Sequence, residues 1–436
     1  MRILLTGASG FIGTHVSTAL LAEGFQLACT VRRAPAIARI GAEPRVRLIE
    51  ADFARDTAKA AWLPRLDGID VVINCVGIIA EHGAQTFAAL HTQTPCALFA
   101  ACAESEVQLV IQLSALGADA GAVSPYHLSK KAADDFLASL PLRAVIVQPS
   151  LVYGDEGGSA RLFRMLASLP VYPRFGRAPQ LVQPVHVDDL TDVIVALVRG
   201  AGALGGQKTR RVPVVGPQAL PFTAYLAALR TAMGLGRLRV VPLPRWLLPP
   251  ALLLARLLGF AMPDRDTLDM LERGNAADAG PAQRLLGRAP RPVAQFIADA
   301  RGAAVRARLD WLLPLLRLSL AIVWIATAIV SAGVYPVEDS YRLLDRSGVP
   351  PDWAPPLLAG ACLLDLLFGV ATMALRPPWR RWLWPAQAAL ILFYSVWIAV
   401  RLPEFLWHPY GPLTKNLPML AVLYLLCQLE EKAWNT

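Results

Sequence analysis

Apolar positions near the start of the chain form short runs that are hydrophobic on both faces, and helix-length segments separate most of them. The runs are residues 2–6, 25–31, 46–50, 70–76, 107–114 and 143–149. Strands that are buried on both faces and alternate with helices are typical of parallel sheets covered by helices on both sides. The pattern therefore predicts an α/β fold with a doubly wound parallel sheet.

The regularity fades beyond the sixth run, where proline and glycine become frequent. Segments 161–169, 188–200 and 222–234 have the spacing of amphipathic helices, which predicts a smaller substrate lobe over about 150–305. Residues 245–262 are apolar but contain two prolines and Arg256. We expect them to form an amphipathic helix rather than a membrane span, either buried against the lobe or lying in a membrane interface.

The last part of the chain has long apolar runs bordered by tryptophan. Four candidate spans lie at 311–334, 355–375, 383–402 and roughly 416–429. A bilayer is crossed by about 20 apolar residues in a helix, and tryptophan favours its interfaces. We therefore expect two domains: a water-facing domain over residues 1–305, and an all-α four-helix transmembrane bundle over residues 311–436.

Charge in the loops predicts the orientation. Residues 376–381, between the second and third spans, form a short basic loop, whereas the loop before the second span has mixed charge. Basic loops stay in the cytoplasm, and an even number of spans returns both termini to one side. The sequence predicts a multi-pass protein of the inner (cytoplasmic) membrane, with the N-terminal domain in the cytoplasm.

Composition agrees with a membrane protein, since 55% of the residues are hydrophobic and only 17% are charged. The net charge of +9 is carried almost entirely by residues 1–310, because residues 311–436 hold nine Lys/Arg and eight Asp/Glu. There are no basic runs and no zinc-ligand spacings, so we expect no nucleic-acid partner and no metal. The six cysteines are scattered, as is typical of reduced thiols in a cytosolic setting.

A glycine-rich turn follows the first strand and opens a helix. It consists of Gly7, Ala8, Ser9, Gly10, Phe11, Ile12 and Gly13. In this context the first glycine permits a tight turn, the second lets backbone N–H groups approach a pyrophosphate, and the third lets the helix pack on the strand. The turn predicts a Rossmann-type dinucleotide site.

The end of the second strand bears on the choice of cofactor. NAD-binding domains place a carboxylate there for the ribose 2′-hydroxyl, but this chain has Arg32 and Arg33. Guanidinium groups suit a 2′-phosphate, so we expect NADP(H), with NAD(H) as the alternative. The alternative to a phosphate-binding role is that both arginines face solvent and contact no ligand. Asp52 after the third strand is a candidate for the adenine, and Asn74 with Gly77 after the fourth for the centre of the cofactor.

Tyr126 and Lys130 lie four residues apart on a predicted helix, twelve residues after Ser114 at the end of the fifth strand. Residues at this spacing share a helix face. An ammonium beside a phenol favours the phenolate, so the pair predicts acid/base chemistry in which Lys130 lowers the pKa of Tyr126. We expect Ser114 to hold the reacting oxygen.

Together these residues make the first 300 or so residues resemble an extended or atypical short-chain dehydrogenase/reductase, of the NAD-dependent epimerase/dehydratase type. Segments 6–13, 148–154 and 183–192 correspond to landmarks of that superfamily. Segment 74–95 is most similar to the branch containing the accessory NADPH-binding subunit of respiratory complex I. The resemblance implies that the glycines of the turn, Arg32, Asp52 and Gly77 contact the cofactor. It also implies that Lys130 contacts the nicotinamide ribose and that Pro149 and Ser150 contact the nicotinamide end. His186 and Asp188 would shape the substrate cleft or serve packing.

The tail from about residue 311 resembles the DoxX-like family of four-helix membrane proteins, through residues 317–324, Asp365 and residues 407–418. Asp365 lies in the middle of a span, where a charged carboxylate is costly unless paired. Arg317 and Lys415 are the candidate partners. An ion pair that orients helices and a functional site for a quinone or a proton are both open.

These features predict a membrane-anchored NAD(P)H-dependent oxidoreductase that acts on a carbonyl or alcohol of a lipophilic substrate. A rival hypothesis is a non-catalytic NADPH-bound structural or assembly subunit with a membrane-protein partner. A third, nucleotide-sugar epimerase or dehydratase, is weakened because Asn74, Cys75, Val76 and Gly77 replace the run usual in sugar epimerases after the fourth strand.

Overall fold

The computed structural model describes residues 1–32, 43–175, 180–200, 208–257 and 273–431. The chain divides into two compact units. The first comprises Met1–Arg245 and Pro263–Ala307, and the second comprises Trp246–Met262 and Arg308–Thr436.

The strands of the first unit are β1 Arg2–Thr6, β2 Gln26–Val31, β3 Val46–Glu50, β4 Val71–Asn74, β5 Leu109–Leu113, β6 Ala144–Pro149, β7 Val152–Tyr153, β8 Tyr172–Phe175, β9 Leu181–Val182, β10 Val185–His186, β11 Thr209–Val214, β12 Leu220–Pro221 and β13 Val240–Leu243. The α-helices of both units are α1 Phe11–Ala22, α2 Thr94–Ala103, α3 Pro125–Ser139, α4 Gly158–Ser168, α5 Val187–Arg199, α6 Phe222–Ala232, α7 Leu248–Leu257, α8 Gly280–Leu286, α9 Ala300–Ile329, α10 Val337–Arg346, α11 Ala354–Ala374, α12 Pro377–Arg401 and α13 Asn416–Glu431.

Seven strands form one sheet in the order β11-β6-β5-β4-β1-β2-β3, and every neighbouring pair is parallel. The predicted doubly wound parallel sheet is confirmed. The chain runs outward from β1 to β3 and then returns to β4 on the other side of β1. Ligands of such sheets bind at the carboxyl ends of the strands where the order reverses, which here lies between β1 and β4.

Alternation along the central strands explains why their sequences are apolar on both faces. Ile3 and Leu5 are buried in the cluster on one face of the sheet, whereas Leu4 is buried in the cluster on the other. Side chains of successive strand residues point to opposite faces. The sheet therefore needs helices on both sides, and the large residues packed on the Leu4 side include Trp62, Phe53 and Phe99.

The smaller lobe of the first unit has its own core and carries short two-stranded sheets. Helices α4 and α6 pack together around aromatic residues, and Phe163 meets both Phe222 and Tyr225 edge to face at 5.5 and 5.6 Å between ring centroids. The predicted amphipathic helices at 161–169, 188–200 and 222–234 correspond to α4, α5 and α6.

Helix α7 differs from the expectation for residues 245–262. The helix forms, but Trp246, Leu253 and Leu254 are 72%, 60% and 57% exposed. Burial of this segment, the expected arrangement, is therefore wrong for these side chains. A position in a membrane interface stays a prediction.

Among the described residues, three helical segments are long and apolar enough to cross a membrane: Ala300–Val334, Pro351–Ala374 and Pro378–Arg401. The fourth expected span forms the 16-residue helix α13, which is shorter than the usual spanning length. Because α9 begins at Ala300 and continues past residue 311, the expected domain boundary falls inside one helix.

The interior of the helical unit contains a satisfied polar network among apolar neighbours. The Trp324 indole donates to Gln387 Oε1 at 3.0 Å, and Gln387 Nε2 donates to Thr372 Oγ1 at 2.8 Å. Each of these side chains is buried. Hydrogen bonds of this kind join helices because lipid offers polar groups no partner.

The orientation can be tested with topology reporters on the full chain. A reporter fused after Thr436 should be labelled from the cytoplasm, and one in the loop 336–352 from the opposite side, because residues 376–381 are basic. The measurement is the accessibility of each reporter in intact cells. Labelling of either reporter from the opposite side would overturn the predicted orientation.

Candidate active site

The glycine turn between β1 and α1 lies at the reversal point of the sheet. Gly7 has a φ of +72°, and a Cβ on it would lie 2.9 Å from the carbonyl carbon of Cys75. A Cβ on Gly13 would lie 2.0 Å from the carbonyl oxygen of Gly7. Only glycine permits these approaches. The close packing brings the start of α1 against the ends of β1 and β4.

The start of α1 fits the pyrophosphate of a dinucleotide. Gly10 is the N-cap, no side chain caps the helix, and its first turn holds no acidic residue. Free backbone N–H groups at a helix N-terminus bind anions. Ser9 is exposed beside them, while Ile12 packs against the core and Phe11 lies under Gly154, whose added Cβ would be 2.6 Å from the ring.

Arg32, Arg33 and Asp52 are the residues expected at the adenine end of the cofactor. Arg32 follows β2 and is exposed, and Arg33 lies outside the described residues. Asp52 follows β3, where its Oδ1 accepts from the Ala54 N–H at 3.0 Å and its carboxylate lies 3.7 Å from Arg55. The Asp52 carboxylate therefore organises its own turn.

Asn74 ends β4 and is fully buried. Its Oδ1 accepts from the Thr6 hydroxyl at 2.6 Å and from the Val76 N–H at 3.3 Å, and its Nδ2 donates to Gln112 Oε1 at 2.7 Å. The side chain thus joins the ends of β1, β4 and β5. Its amide fixes the segment that leads to Gly77.

Helix α3 begins at Pro125 behind Ser124, whose hydroxyl accepts from the N–H of His127. A serine cap followed by proline is a strong helix start. Lys130 is buried in this helix, and its Nζ donates to the carbonyl oxygens of Val76 and Leu113, each at 3.2 Å. The ammonium therefore sits at the carboxyl ends of β4 and β5.

Burial lowers the pKa of Lys130 to about 8, although the charge of Asp134 acts in the other direction. Gly77 makes room for the ammonium, since a Cβ there would lie 3.0 Å from Lys130 Nζ. The structure thus brings together Lys130, Gly77 and the segment after Asn74, and the cofactor contacts expected of these residues stay predictions.

Tyr126 is half-buried one turn before Lys130, with its ring edge-to-face against His91 at 5.4 Å and Phe87 at 6.1 Å between centroids. Burial, with a contribution from Asp134, raises the pKa of Tyr126 to about 12. This direction is opposite to the expected lowering by Lys130. Tyr126 is therefore a neutral phenol at physiological pH.

Ser114 follows β5, and its hydroxyl donates to the Asp134 carboxylate. Asp134 lies two helical turns beyond Tyr126, about 12 Å along the helix axis. The hydroxyl proton of Ser114 is therefore committed to Asp134, and its role in holding the reacting oxygen stays a prediction.

Sequence reasoning missed two buried residues of this site, Asp134 and His91. Asp134 continues the four-residue spacing of Tyr126 and Lys130, a signal that was available in the sequence. His91 lies in a π-helical turn, Ala88–Gln93, and offered no such signal. Turns of this kind are frequent at functional sites.

His91 joins the segment after β4 to helix α3. Its Nε2 accepts from the Ile78 N–H at 3.0 Å, so the proton is on Nδ1, which lies 2.9 Å from Ser129 Oγ. Burial and the nearby Lys130 charge lower the pKa of His91 to about 2. The ring is therefore a neutral clamp that positions Tyr126 and its helix.

The residues expected at the nicotinamide end lie at the end of β6. The Pro149 carbonyl accepts from the Leu116 N–H at 2.9 Å, and the Ser150 hydroxyl donates to the Gln183 carbonyl. His186 caps α5 by accepting from the Asp188 N–H at 3.2 Å. These hydrogen bonds, one made by a main-chain carbonyl and two made by side chains, are internal to the protein.

In the helical unit, the expected pairing of Asp365 with Arg317 is wrong. Arg317 lies 3.5 Å from Glu430, which also meets Arg380 at 3.3 Å. Asp365 is 7% exposed, and its Oδ1 has no hydrogen-bond partner among the described residues. Lys415, the other candidate, is exposed.

A curated protein is similar to part of this chain. The chain is similar to a ceramide reductase of Caulobacter vibrioides (strain NA1000 / CB15N), with 28% identity over 199 residues. The match covers 45% of this chain and 61% of the relative, so the chain spans less than two thirds of that protein's length.

Solved structures resemble the fold. A UDP-glucuronic acid 4-epimerase of Bacillus cereus, in complex with UDP-glucuronic acid and NAD, is 18% identical with a TM-score of 0.51, covering 71% of this chain and 99% of its own. A nucleoside-diphosphate-sugar epimerase of Staphylococcus aureus is 16% identical with a TM-score of 0.54, covering 68% and 99%. At these identities the likeness shows the fold alone.

Family models match both parts of the chain. Residues 3–207 match the NAD dependent epimerase/dehydratase family, and residues 321–424 match the DoxX-like family. The first segment holds the glycine turn, Tyr126 and Lys130, and the second holds Asp365. Residues 3–207 of this chain are therefore similar to the NAD dependent epimerase/dehydratase family and residues 321–424 to the DoxX-like family.

Proposed function

We propose that this protein is a membrane-bound, NADP(H)-dependent reductase that converts a ketone of a ceramide-like lipid into an alcohol. The observation that carries the proposal is the buried Lys130 ammonium at the ends of β4 and β5, one helical turn from the neutral phenol of Tyr126. Carbonyl reduction needs a hydride and a proton donor, and a phenol beside an ammonium can serve as that donor.

The cofactor would lie across the reversal point of the sheet. When bound, the nicotinamide supplies a hydride. The uncapped N-terminus of α1 would hold the pyrophosphate, and Lys130 would use its remaining proton to bind the nicotinamide ribose. Arg32 and Arg33 support NADP(H), because no carboxylate ends β2.

Tyr126 would act as the general acid. Its raised pKa, about 12, keeps the phenol protonated, so it can donate its proton to the carbonyl oxygen as that oxygen gains negative charge. The ammonium of Lys130 then stabilises the phenolate that remains. The phenol is thus in the protonation state that proton donation to a carbonyl oxygen needs.

The substrate class rests on two observations. The curated relative is a ceramide reductase, and the described part of this chain has three helical segments long and apolar enough to span a bilayer. Amide carbonyls resist hydride addition because the nitrogen lone pair delocalises into them. The reacting group of a ceramide-like lipid is therefore expected to be a ketone on its long chain.

A second candidate is a non-catalytic NADPH-bound subunit of a membrane complex. The hydrogen bond from Ser114 to Asp134 favours it, because the serine proton is then unavailable to a substrate carbonyl. A nucleotide-sugar epimerase is the third candidate, and its main support is the fold.

Gly77→Ala tests the binding role of Lys130. The new Cβ would lie 3.0 Å from Lys130 Nζ and would displace the ammonium at the tip of its flexible chain. We expect NADPH affinity to fall about tenfold with little change in melting temperature. Gly158→Ala is the control, since a Cβ there meets nothing within 4 Å. Wild-type affinity in Gly77→Ala would contradict this role.

Arg32→Ser with Arg33→Ser tests the cofactor preference. We expect NADPH binding to weaken by about 1–3 kcal/mol and NADH binding to change little, because charge-assisted hydrogen bonds to the 2′-phosphate are lost. Dissociation constants for both cofactors provide the measurement. Arg55→Ser, at an 85% exposed side chain, is the control. Equal losses for the two cofactors would reject the preference.

Tyr126→Phe distinguishes a reductase from a non-catalytic NADPH-bound subunit, or scaffold. It removes only the phenolic oxygen, so NADPH affinity should be unchanged while turnover falls about 10²- to 10⁴-fold. The assay follows NADPH oxidation with a ketone-bearing ceramide analogue in mixed micelles, and Tyr172→Phe is the control. Turnover at the wild-type rate would favour the scaffold.

A further inference from the structure

We propose that Asp134 is a positioning residue of this site, whose buried carboxylate keeps the Lys130 ammonium charged at the carboxyl edge of the sheet. The proposal rests on the proposed function, because it assigns to Lys130 the binding of the cofactor. Asp134 acts through Lys130 and needs no contact with substrate.

The geometry places Asp134 behind the ammonium. It is fully buried on α3, one helical turn after Lys130, and residues at this spacing lie about 5–6 Å apart at their Cβ atoms. Its Oδ2 accepts from Ser114, the residue that follows Leu113, and the Leu113 carbonyl in turn accepts from Lys130 Nζ. Strand end, ammonium and carboxylate thus form one connected group.

The direct partners of Lys130 do not balance its charge. The carbonyls of Val76 and Leu113 are neutral dipoles, and a buried charge is costly without an opposite charge nearby. Among the described residues, the nearest ion-pair partner of Asp134 is Arg211 of β11, at 3.7 Å from Oδ2. The second oxygen, Oδ1, is buried and accepts no hydrogen bond from the described residues.

The charged and polar groups that face Asp134 come from three elements. Helix α3 contributes Lys130 and Asp135, the end of β5 contributes Ser114, and β11 contributes Arg211. Ser114, Lys130 and Arg211 lower the pKa of Asp134, but burial outweighs them and raises it to about 6. The pKa of Lys130 is about 8 with Asp134 present. Both groups are therefore charged between about pH 6 and pH 8.

The charge of Asp134 influences the pH at which Lys130 loses its proton. The charge of Asp134 raises the pKa of Lys130, so its removal makes Lys130 lose its proton at a lower pH. Cofactor binding that depends on the ammonium weakens as pH rises through that pKa. Without Asp134, the loss of affinity must begin at a lower pH.

The test measures NADPH affinity of the full-length protein in detergent between pH 6 and pH 9.5, by cofactor fluorescence. Asp134→Asn keeps the size of the side chain and removes its charge. We expect the alkaline midpoint of binding to move down by about one pH unit, the effect typical of a nearby opposite charge. Asp134→Glu should restore the wild-type midpoint.

Asp135→Asn is the matched control. Asp135 is the adjacent carboxylate, half exposed, and pairs with Lys131 and with Arg211 at 2.7 Å. It should leave the midpoint unchanged. A wild-type midpoint in folded Asp134→Asn, or equal shifts in the two variants, would overturn the proposal.

Ser114→Ala distinguishes the effect of the Asp134 charge from the effect of its hydrogen bond to the end of β5. It deletes the hydrogen bond to β5 and leaves the carboxylate in place. We expect a folded protein with the wild-type midpoint. If Asp134→Asn does not fold, loss of structure in Ser114→Ala as well would overturn the proposal in favour of a purely anchoring role, and a folded Ser114→Ala with the wild-type midpoint would support it.

Measuring both cofactor binding and turnover distinguishes failure of the role proposed for Asp134 from failure of the proposed reaction. A shifted binding midpoint in a protein that reduces no lipid ketone would reject the proposed reaction and support the role of Asp134. An unchanged midpoint in an active enzyme would reject only the role of Asp134.

Discussion

The candidate site depends on one constraint: the ammonium of Lys130 is buried at the edge of an apolar sheet and must be satisfied there. Two carbonyls, of Val76 and Leu113, accept its hydrogen bonds, and Gly77 leaves the space it occupies. Asp134 supplies the opposite charge on the same helix. Because a buried cation without partners is costly, these neighbours tie β4, β5 and α3 to one geometry. The other groups of the site are arranged around that geometry.

Tyr126 and His91 are neutral for the same reason. Both lie against the helix that carries Lys130, and burial disfavours a charge on either ring, which raises the pKa of Tyr126 and lowers that of His91. A neutral imidazole can accept a hydrogen bond from Ile78 while its second nitrogen faces Ser129. The site therefore carries a buried charge on Lys130 and on Asp134, with a neutral acid at its rim. Such an arrangement suits proton donation to an oxygen that becomes negative.

In the helical unit, polar groups follow the rule that lipid imposes. Trp324, Gln387 and Thr372 satisfy one another, and Glu430 is shared by two arginines. Asp365 departs from this rule, because one of its buried oxygens has no partner among the described residues. Intramembrane carboxylates of this kind are expensive to keep and are commonly functional. The polar groups of Trp324, Gln387, Thr372 and Glu430 therefore join helices, whereas Oδ1 of Asp365 does not.

Local patterns in the sequence determined the parallel sheet, the glycine turn and the position of Tyr126 and Lys130 on one helix face. These features depend on spacing along the chain, since strand burial on two faces and a four-residue helical repeat are visible without neighbours. The partners of the side chains were decided by tertiary structure. Ser114 bonds to Asp134, Arg317 to Glu430, and Asn74 to Thr6 and Gln112, all across separate elements. The pKa of Tyr126 likewise depends on burial, a property of the folded environment that no local pattern contains.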